Sequence, residues 1–424
     1  MNRGDSSLTI DEICRVFSER QTSAFPNTTE SLLALTAENS LSAAEAARVA
    51  LAIAESGTIL DLSGQAGPFG DVPSTGGAAS LTTLLCPVLL ASVGVRVPKI
   101  SASGSIAGAI DTLGLIPGFK SQFTATEFLD LLRKVGIVHC LQTADLCPAD
   151  GALIAARRRL QRMADPTLAA ISLLSKKLAV RGTCASFDFR VGEVGNIGSD
   201  EIAARRGATI LMECARELRV PVAIALTDNR NFPSTRLGRL ESLDLLWQIL
   251  SCAPLSGLDY EHVDMCIELA GKCKQLCLGT RIPDATREIR DSISSGRAME
   301  MFLTHVCAQG ASIDSLSSTL ARRSQQKIRE VRALADGYWI PSISLGKELA
   351  KKQQAIFDAL STFNPTWQVG LELLRPLGDR VKEGDVVAVV RYPDSAELSC
   401  DFSGLGTCFI NQQPRQSQFI EWHG

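Results

Sequence analysis

Two runs of small polar residues constrain what this chain can fold into: Ser74-Thr75-Gly76-Gly77 and Ser101-Ala102-Ser103-Gly104-Ser105. Each abuts an apolar segment, Leu81 to Val93 after the first and Val95 to Ile100 before the second. Backbone N–H groups approach an anion closely only where side chains are small. A helix beginning just beyond adds a favourable dipole, and Ser and Thr hydroxyls add donors. An ordinary pair of small-residue loops would have the same composition, and neither run matches a P-loop or dinucleotide fingerprint.

Strand-like and helical runs alternate around these loops. Val95–Ile100, Val135–Leu141, Cys184–Phe189 and Val220–Leu226 read as buried strands. Leu81–Val93, Thr126–Lys134 and Asp200–Glu217 read as helices. Such alternation predicts a largely parallel sheet covered on both faces, with ligands at the C-terminal strand ends. Residues 1–60 read as helices, with Ser42 as N-cap and Glu45 three positions on. From about Ala333 the character becomes β-like, at Gly337–Pro341 and Arg380–Val390. The second run carries a Gly-Asp turn but no modifiable lysine of the biotin or lipoyl type, which argues against a carrier role.

The 424 residues suffice for two or three domains, and a net charge of −3 gives no basis for a nucleic-acid surface. No apolar run reaches membrane-spanning length, and Met1–Asp5 lacks a leader's apolar core. A cytoplasmic protein with no membrane partner is expected. Thirteen cysteines without paired CxxC motifs fit reduced thiols. Cys266, Cys273 and Cys277 share one face of a helix, with no His or acidic cluster beside them. They read as core, and no metal site is expected.

The order of the motifs adds more. Ser74-Thr75-Gly76-Gly77 is followed by Pro98-Lys99-Ile100-Ser101, Ile116-Pro117-Gly118-Phe119, Gln142-Thr143 and Leu146-Cys147-Pro148-Ala149-Asp150. Asp188-Phe189-Arg190-Val191-Gly192 and Leu226-Thr227-Asp228 come later. In this order they resemble the pyrimidine nucleoside phosphorylases, thymidine phosphorylase among them, from about Leu41 to Leu250 and more weakly beyond. The resemblance implies an α/β plus α fold in three domains. These are a discontinuous helical domain (1–62 and 149–180), a large mostly parallel α/β domain (63–148 and 181–332) and a small C-terminal α+β domain (333–424). It also implies a homodimer, a pyrimidine nucleoside and inorganic phosphate as substrates, and no organic cofactor.

For the site, the resemblance implies that Arg157, Ser172 and Lys176 contact the base. Ser172 and Lys176 are i, i+4 and share a helix face. Without the resemblance these residues would read as a solvated basic surface. Ser74, Thr75, Ser101 and Thr83 match phosphate-contacting positions. The family's Lys-His before the first loop is here Val72-Pro73, which can neither carry charge nor move a proton. The second loop is about two residues shorter, and a phosphate-binding Thr is replaced by Ala109. Lys99 and Arg96 are candidate replacement cations. They face opposite sides of a regular strand, so at most one points at the loop, and a surface location is the simpler expectation for both. His139 reads as a buried structural histidine. His262, His305 and His423 match no functional position.

Three readings stay open at this point. The first is a divergent pyrimidine nucleoside phosphorylase. The second is a glycosidic-bond enzyme that uses water or another acceptor, or a phosphorylated substrate. The third is a non-catalytic nucleoside-binding protein.

Overall fold

The computed structural model describes residues 8–38, 41–63, 65–106, 108–194, 197, 200–360, 367–409 and 419–423. The segment Met1–Asp5, read above for a leader, lies outside them.

The chain starts with helices α1 (Ile10–Ser18), α2 (Phe25–Glu38) and α3 (Ala43–Glu55). Ser42 caps α3 as expected: its hydroxyl accepts from the Glu45 N–H, and Glu45 reaches back to the Ser42 N–H. Strands β1 (Leu60–Asp61) and β2 (Gly70–Asp71) follow, then α4 (Thr82–Ser92), β3 (Val97–Ser101), α5 (Ala109–Leu113), α6 (Ala125–Val135) and β4 (Ile137–Leu141). Next come α7 (Pro148–Arg159), α8 (Pro166–Leu178), β5 (Val180–Arg181), β6 (Cys184–Val191), α9 (Glu201–Glu217) and β7 (Val222–Asp228). The expected strands and helices of this stretch are therefore present, shifted by one or two residues at their ends.

The main sheet pairs β2, β6 and β7 in parallel. A parallel bridge between Phe69 and Arg96 joins it to the parallel pair β3–β4. Every residue of β7 is buried, as is all of β6 after Cys184, which a sheet covered on both faces requires. One layer is built from α1, α2 and α3 together with α7 and α8, which pack against them from 93 or more residues further along the chain. Strands β1 and β5 pair in parallel, Leu60 opposite Val180, where the chain leaves after α3 and again after α8.

Beyond β7, β8 (Arg236–Leu237) precedes a run of helices: α10 (Arg239–Leu250), α11 (Gly257–Leu278), α12 (Ile282–Ser294), α13 (Arg297–Ala308) and α14 (Ile313–Ala321). The last part holds β9 (Lys327–Arg332), β10 (Gly337–Trp339), α15 (Ile343–Leu360), β11 (Gly370–Leu373), β12 (Arg380–Val381), β13 (Val386–Tyr392), β14 (Cys408–Phe409) and β15 (Phe419–His423). One C-terminal sheet runs β8-β11-β13-β9 and so recruits two strands from before residue 333. In the opposite sense, β15 crosses back to lie antiparallel to β7 in the main sheet. Cys266 and Cys273 sit in the core of α11, and Cys277 packs at its edge. No group of His, Cys, Asp and Glu able to hold a metal ion occurs among the described residues, and no helix among them is long and apolar enough to cross a membrane.

Candidate active site

The first small-residue loop lies over the C-terminal half of β6. Ser74 bridges to Asp188, and the Thr75 N–H donates to the Asp188 carbonyl at 3.0 Å. A carboxylate in an otherwise apolar strand needs partners, and Asp188, with no solvent exposure, collects them from four elements. The Ser74 hydroxyl donates to its Oδ2 at 2.9 Å, the Thr82 hydroxyl to Oδ2 at 2.8 Å and the Thr227 hydroxyl to Oδ1 at 2.6 Å. The Arg190 guanidinium stands 3.4 Å from Oδ2. Arg190 is held from its other side by Asn229 Oδ1 at 3.0 and 3.2 Å. Thr75 Oγ1 accepts from the Arg190 backbone N–H at 2.9 Å. The Ser74 and Thr75 hydroxyls thus serve the protein's own groups. Gly77, at φ +149°, lies so close that a Cβ there would be 2.7 Å from Asn229 Nδ2, so only glycine fits.

The start of α4 completes this region. Leu81 offers no side-chain cap, and its N–H donates instead to Nε2 of the buried His262 at 2.9 Å. Burial, with the Arg190 charge, pushes His262 down to about 3, so the ring is a neutral acceptor. Thr83, one residue past the Thr82 that reaches Asp188, is half-buried. Its carbonyl accepts from His139 Nε2 at 3.3 Å. His139 is fully buried, as expected, and lies 3.2 Å from the His305 ring. His305 in turn donates to Gln309 at 2.8 Å.

The expectation that Lys99 lies at the surface is overturned. Its side chain is 2% exposed, and Nζ donates to Asp71 Oδ1 at 2.7 Å and to the Val72 carbonyl at 3.1 Å. Asp71 also takes Lys177, from α8, at 2.6 Å. Burial alone would raise Asp71, but the Lys177 and Lys99 charges outweigh it and hold it at about 2. Burial pushes Lys177 down against the pull of Asp71. One carboxylate thus carries two lysines, one of which also donates to the carbonyl of the adjacent Val72. Arg96 lies at the opposite end of the strand: β3 runs from Val97 to Ser101, and Arg96 packs over Gly67 at its start. Five residues of strand separate Arg96 from Ser101, about 16 Å, so Arg96 does not reach the loop.

The three expected base-contacting residues lie on α7 and α8, all buried; Ser172 and Lys176 touch, whereas Arg157 stands at the α7–α8 turn. Lys176 Nζ donates to Asp150 Oδ2 at 2.7 Å, to the Ser172 hydroxyl at 3.0 Å and to the Ser172 carbonyl. Gln142 Nε2 donates to the same Asp150 oxygen at 2.6 Å. Asp150 Oδ1, buried, has no partner among the described residues. The Arg157 guanidinium closes the α7–α8 turn, donating to the carbonyls of Arg162 at 3.3 Å and Met163 at 2.6 Å. Burial lowers it to about 10, against the pull of Asp150 and Asp165. The cluster is therefore no solvated helix face.

The second loop leaves β3 at Ser101, which pairs with Leu141. Its Gly104 and Ser105 N–H groups both donate to the Asp111 carboxylate, each at 2.9 Å. Arg158 donates to the Ser103 carbonyl, and Arg239 Nε to the Ser105 carbonyl at 3.2 Å. Sequence reasoning assigned no role to Asp71, Asp111, Asp150, Asp188, Arg190 or Asn229. The available signal was a charged residue inside an apolar strand, as in Cys184–Val191.

The fold is similar to that of phosphoribosyltransferases. The anthranilate phosphoribosyltransferase of Thermus thermophilus superposes with TM-score 0.55 over 72% of this chain and 96% of that one, at 15% identity. The Saccharomyces cerevisiae anthranilate phosphoribosyltransferase, solved with PRPP and Mg, gives 0.52 over 73% and 92%, at 14% identity. In sequence, the chain is 28% identical over 358 residues to a pyrimidine-nucleoside phosphorylase of Geobacillus stearothermophilus, covering 82% of this chain and 79% of that one. It is 28% identical to a thymidine phosphorylase of Agrobacterium fabrum, over 86% and 83%, and 29% identical to one of Mesorhizobium japonicum, over 85% and 83%. No protein-family model matches the chain. The likeness read from the motifs thus extends over most of the chain, which is similar in sequence to pyrimidine-nucleoside and thymidine phosphorylases.

Proposed function

We propose that the protein cleaves the N-glycosidic bond of a pyrimidine nucleoside and transfers the pentosyl group to phosphate. The buried Lys176 and Ser172 on α8 carry this reading, with Arg157 on α7 as the third proposed base contact. The Ser172 hydroxyl, and the Lys176 ammonium on exchanging one of its three internal bonds for the substrate, donate to the carbonyl oxygens of a pyrimidine and favour its departure as an anion. Asp150 and Gln142 fix the ammonium before substrate arrives, which spares reorganisation during the reaction. On this reading the helical parts 1–62 and 149–180 close against the α/β parts 63–148 and 181–332, with 333–424 as a third domain. Closure brings base and acceptor together. A homodimer without an organic cofactor, working in the cytoplasm, completes the reading.

A second reading, with water or another acceptor or with a phosphorylated substrate, draws support from one observation. The resemblance implies a Lys-His pair where this chain has Val72-Pro73, and the nearby Lys99 is committed to Asp71. The test is chromatographic detection of base release from uridine and thymidine, with and without phosphate. Release only with phosphate is the expected result. Equal release without it replaces the first reading by the second, and binding of uracil without release would leave a nucleoside-binding protein.

A further inference from the structure

We infer that Lys177 is a positioning residue: through Asp71 it joins helix α8, which presents Ser172 and Lys176, to the strand that enters the first small-residue loop, and so sets the spacing between base and acceptor. The inference rests on the reading that α8 holds the base and that this loop faces the acceptor. Consecutive lysines on α8 reach two carboxylates in different layers. Lys176 meets Asp150 of α7 at 2.7 Å, and Lys177 meets Asp71 of β2 at 2.6 Å. Helix α8 packs mainly on α2, α3, α7, α9 and β5. The Lys177–Asp71 pair is thus a direct tie from that helix to the main sheet. Asp71 stands three residues before Ser74, whose hydroxyl is bonded to Asp188.

Charge balance does not call for Lys177. Asp71 is already paired through Oδ1 with Lys99, at 2.7 Å, and one ammonium neutralises one carboxylate. A second buried lysine adds the cost of taking its ammonium out of water. What it adds in return is geometry. With Lys99 on Oδ1 and Lys177 on Oδ2 the carboxylate is held from both sides, and any turning or sliding of α8 strains the Lys176–Asp150 and Lys177–Asp71 pairs together. The two lysines on Asp71 are not equivalent. Lys99 ties β3 to β2, whose neighbourhood is already fixed by the Gly70 N–H donating to the Arg96 carbonyl at 2.9 Å and by the Phe69–Arg96 bridge. Lys177 carries the tie to α8. Misplacing reacting groups by about 1 Å costs up to about a hundredfold in rate. Loss of the tie therefore shows in turnover before it shows in base affinity, which Lys176 and Ser172 supply from within α8.

The experiment compares Lys177→Met with Lys99→Met in the full-length protein. Each removes one buried cation and leaves Asp71 with one lysine, so the charge change is the same and only the tie differs. The readouts are kcat and KM for phosphate-dependent base release from uridine and thymidine, uracil affinity by calorimetry, and hydrogen exchange of α8 and of residues 69–76 by mass spectrometry. Lys177→Met is expected to lower kcat about tenfold or more, with nucleoside KM and uracil affinity within about twofold of wild type. Its exchange is expected to be faster in both segments. Lys99→Met is expected to lower kcat by less than about threefold. Equal losses of kcat in the two variants assign the effect to charge and overturn the proposal. So does a Lys177→Met that keeps wild-type kcat, or one whose uracil affinity falls in step with kcat. A Lys177→Met that does not fold overturns it too, because the second lysine is then a structural requirement. Exchange does not depend on turnover. If wild type releases no base, the proposed function falls; faster exchange in both segments of Lys177→Met then still establishes the tie, and unchanged exchange overturns it. Base release by wild type with unchanged kcat in Lys177→Met sinks this inference alone.

Discussion

Replacing Asp71 by Asn is a sharp test of the charge arrangement under the first loop. The substitution keeps size and shape but leaves the Lys99 and Lys177 side chains, 2% and 1% exposed, without an anion. Asp71 is held at about 2 against an ordinary 3.8. At about 1.4 kcal/mol per unit, that difference corresponds to about 2 kcal/mol of stability at neutral pH. Repulsion between the two stranded ammonium groups adds to this, and breaking buried ion pairs costs about 3–5 kcal/mol. A loss in that range is expected in urea unfolding at pH 7. The pH dependence is the more telling readout. In the variant, burial without a counter-charge lowers both lysines below their unfolded value. The unfolded chain then binds more protons, and stability rises with pH by up to about 1.4 kcal/mol per unit for each neutralised lysine. The variant's curve between pH 7 and 9 should therefore climb more steeply than that of wild type. A loss below about 1 kcal/mol, or curves that run parallel over that range, would refute the account.

Two other outcomes follow from the site. Lys176→Met removes the donor between Ser172 and Asp150 and should weaken uracil binding by about tenfold or more in calorimetry; unchanged affinity would remove Lys176 from the base site. His262 and His305 are held near 3 and 4 by burial. Groups whose folded pKa is depressed below an unfolded value of about 6.5 stabilise fully above that value and lose the contribution as pH falls towards the folded pKa. Together they should cost about 4 kcal/mol between pH 7 and pH 5, with His139 adding in the same direction. Unfolding free energies equal at the two pH values would contradict the buried, neutral assignment.

Much of the fold was legible because local rules and tertiary packing agree here. Ser42 and Glu45 announce a capping box, and the apolar runs at β3, β4, β6 and β7 announce buried strands. A base-contacting role for Arg157, Ser172 and Lys176 is suggested only by the order of motifs. Spacing puts Ser172 and Lys176 on one face, but nothing in α8 alone says that Asp150 will meet them. Lys99 shows the limit most clearly. Strand alternation gave its side of the sheet, yet its burial depends on Asp71 and Lys177, which lie 28 and 78 positions away in the sequence. Thr82 and Thr83 differ by one position. Which of them meets Asp188 depends on the rotation of α4 at its start, set by a histidine 181 residues further on. Long-range ion pairs and caps of this kind leave no periodic trace.

The short pairing of β1 with β5 has a consequence for biosynthesis. It joins the point where the nascent chain departs from the α1–α3 layer to the point just after α8, the last helix to return to that layer. Helix α3 packs on α8 and ends at Glu55, whereas α8 ends at Leu178. At about 5–20 residues per second, a ribosome needs roughly 6–25 s to synthesise the intervening chain. Throughout that interval the part of α3 that packs on α8 lacks its native cover. The first segment made is therefore among those left waiting for a partner, and the growing chain presents a sticky helical surface that holdase chaperones are suited to shield.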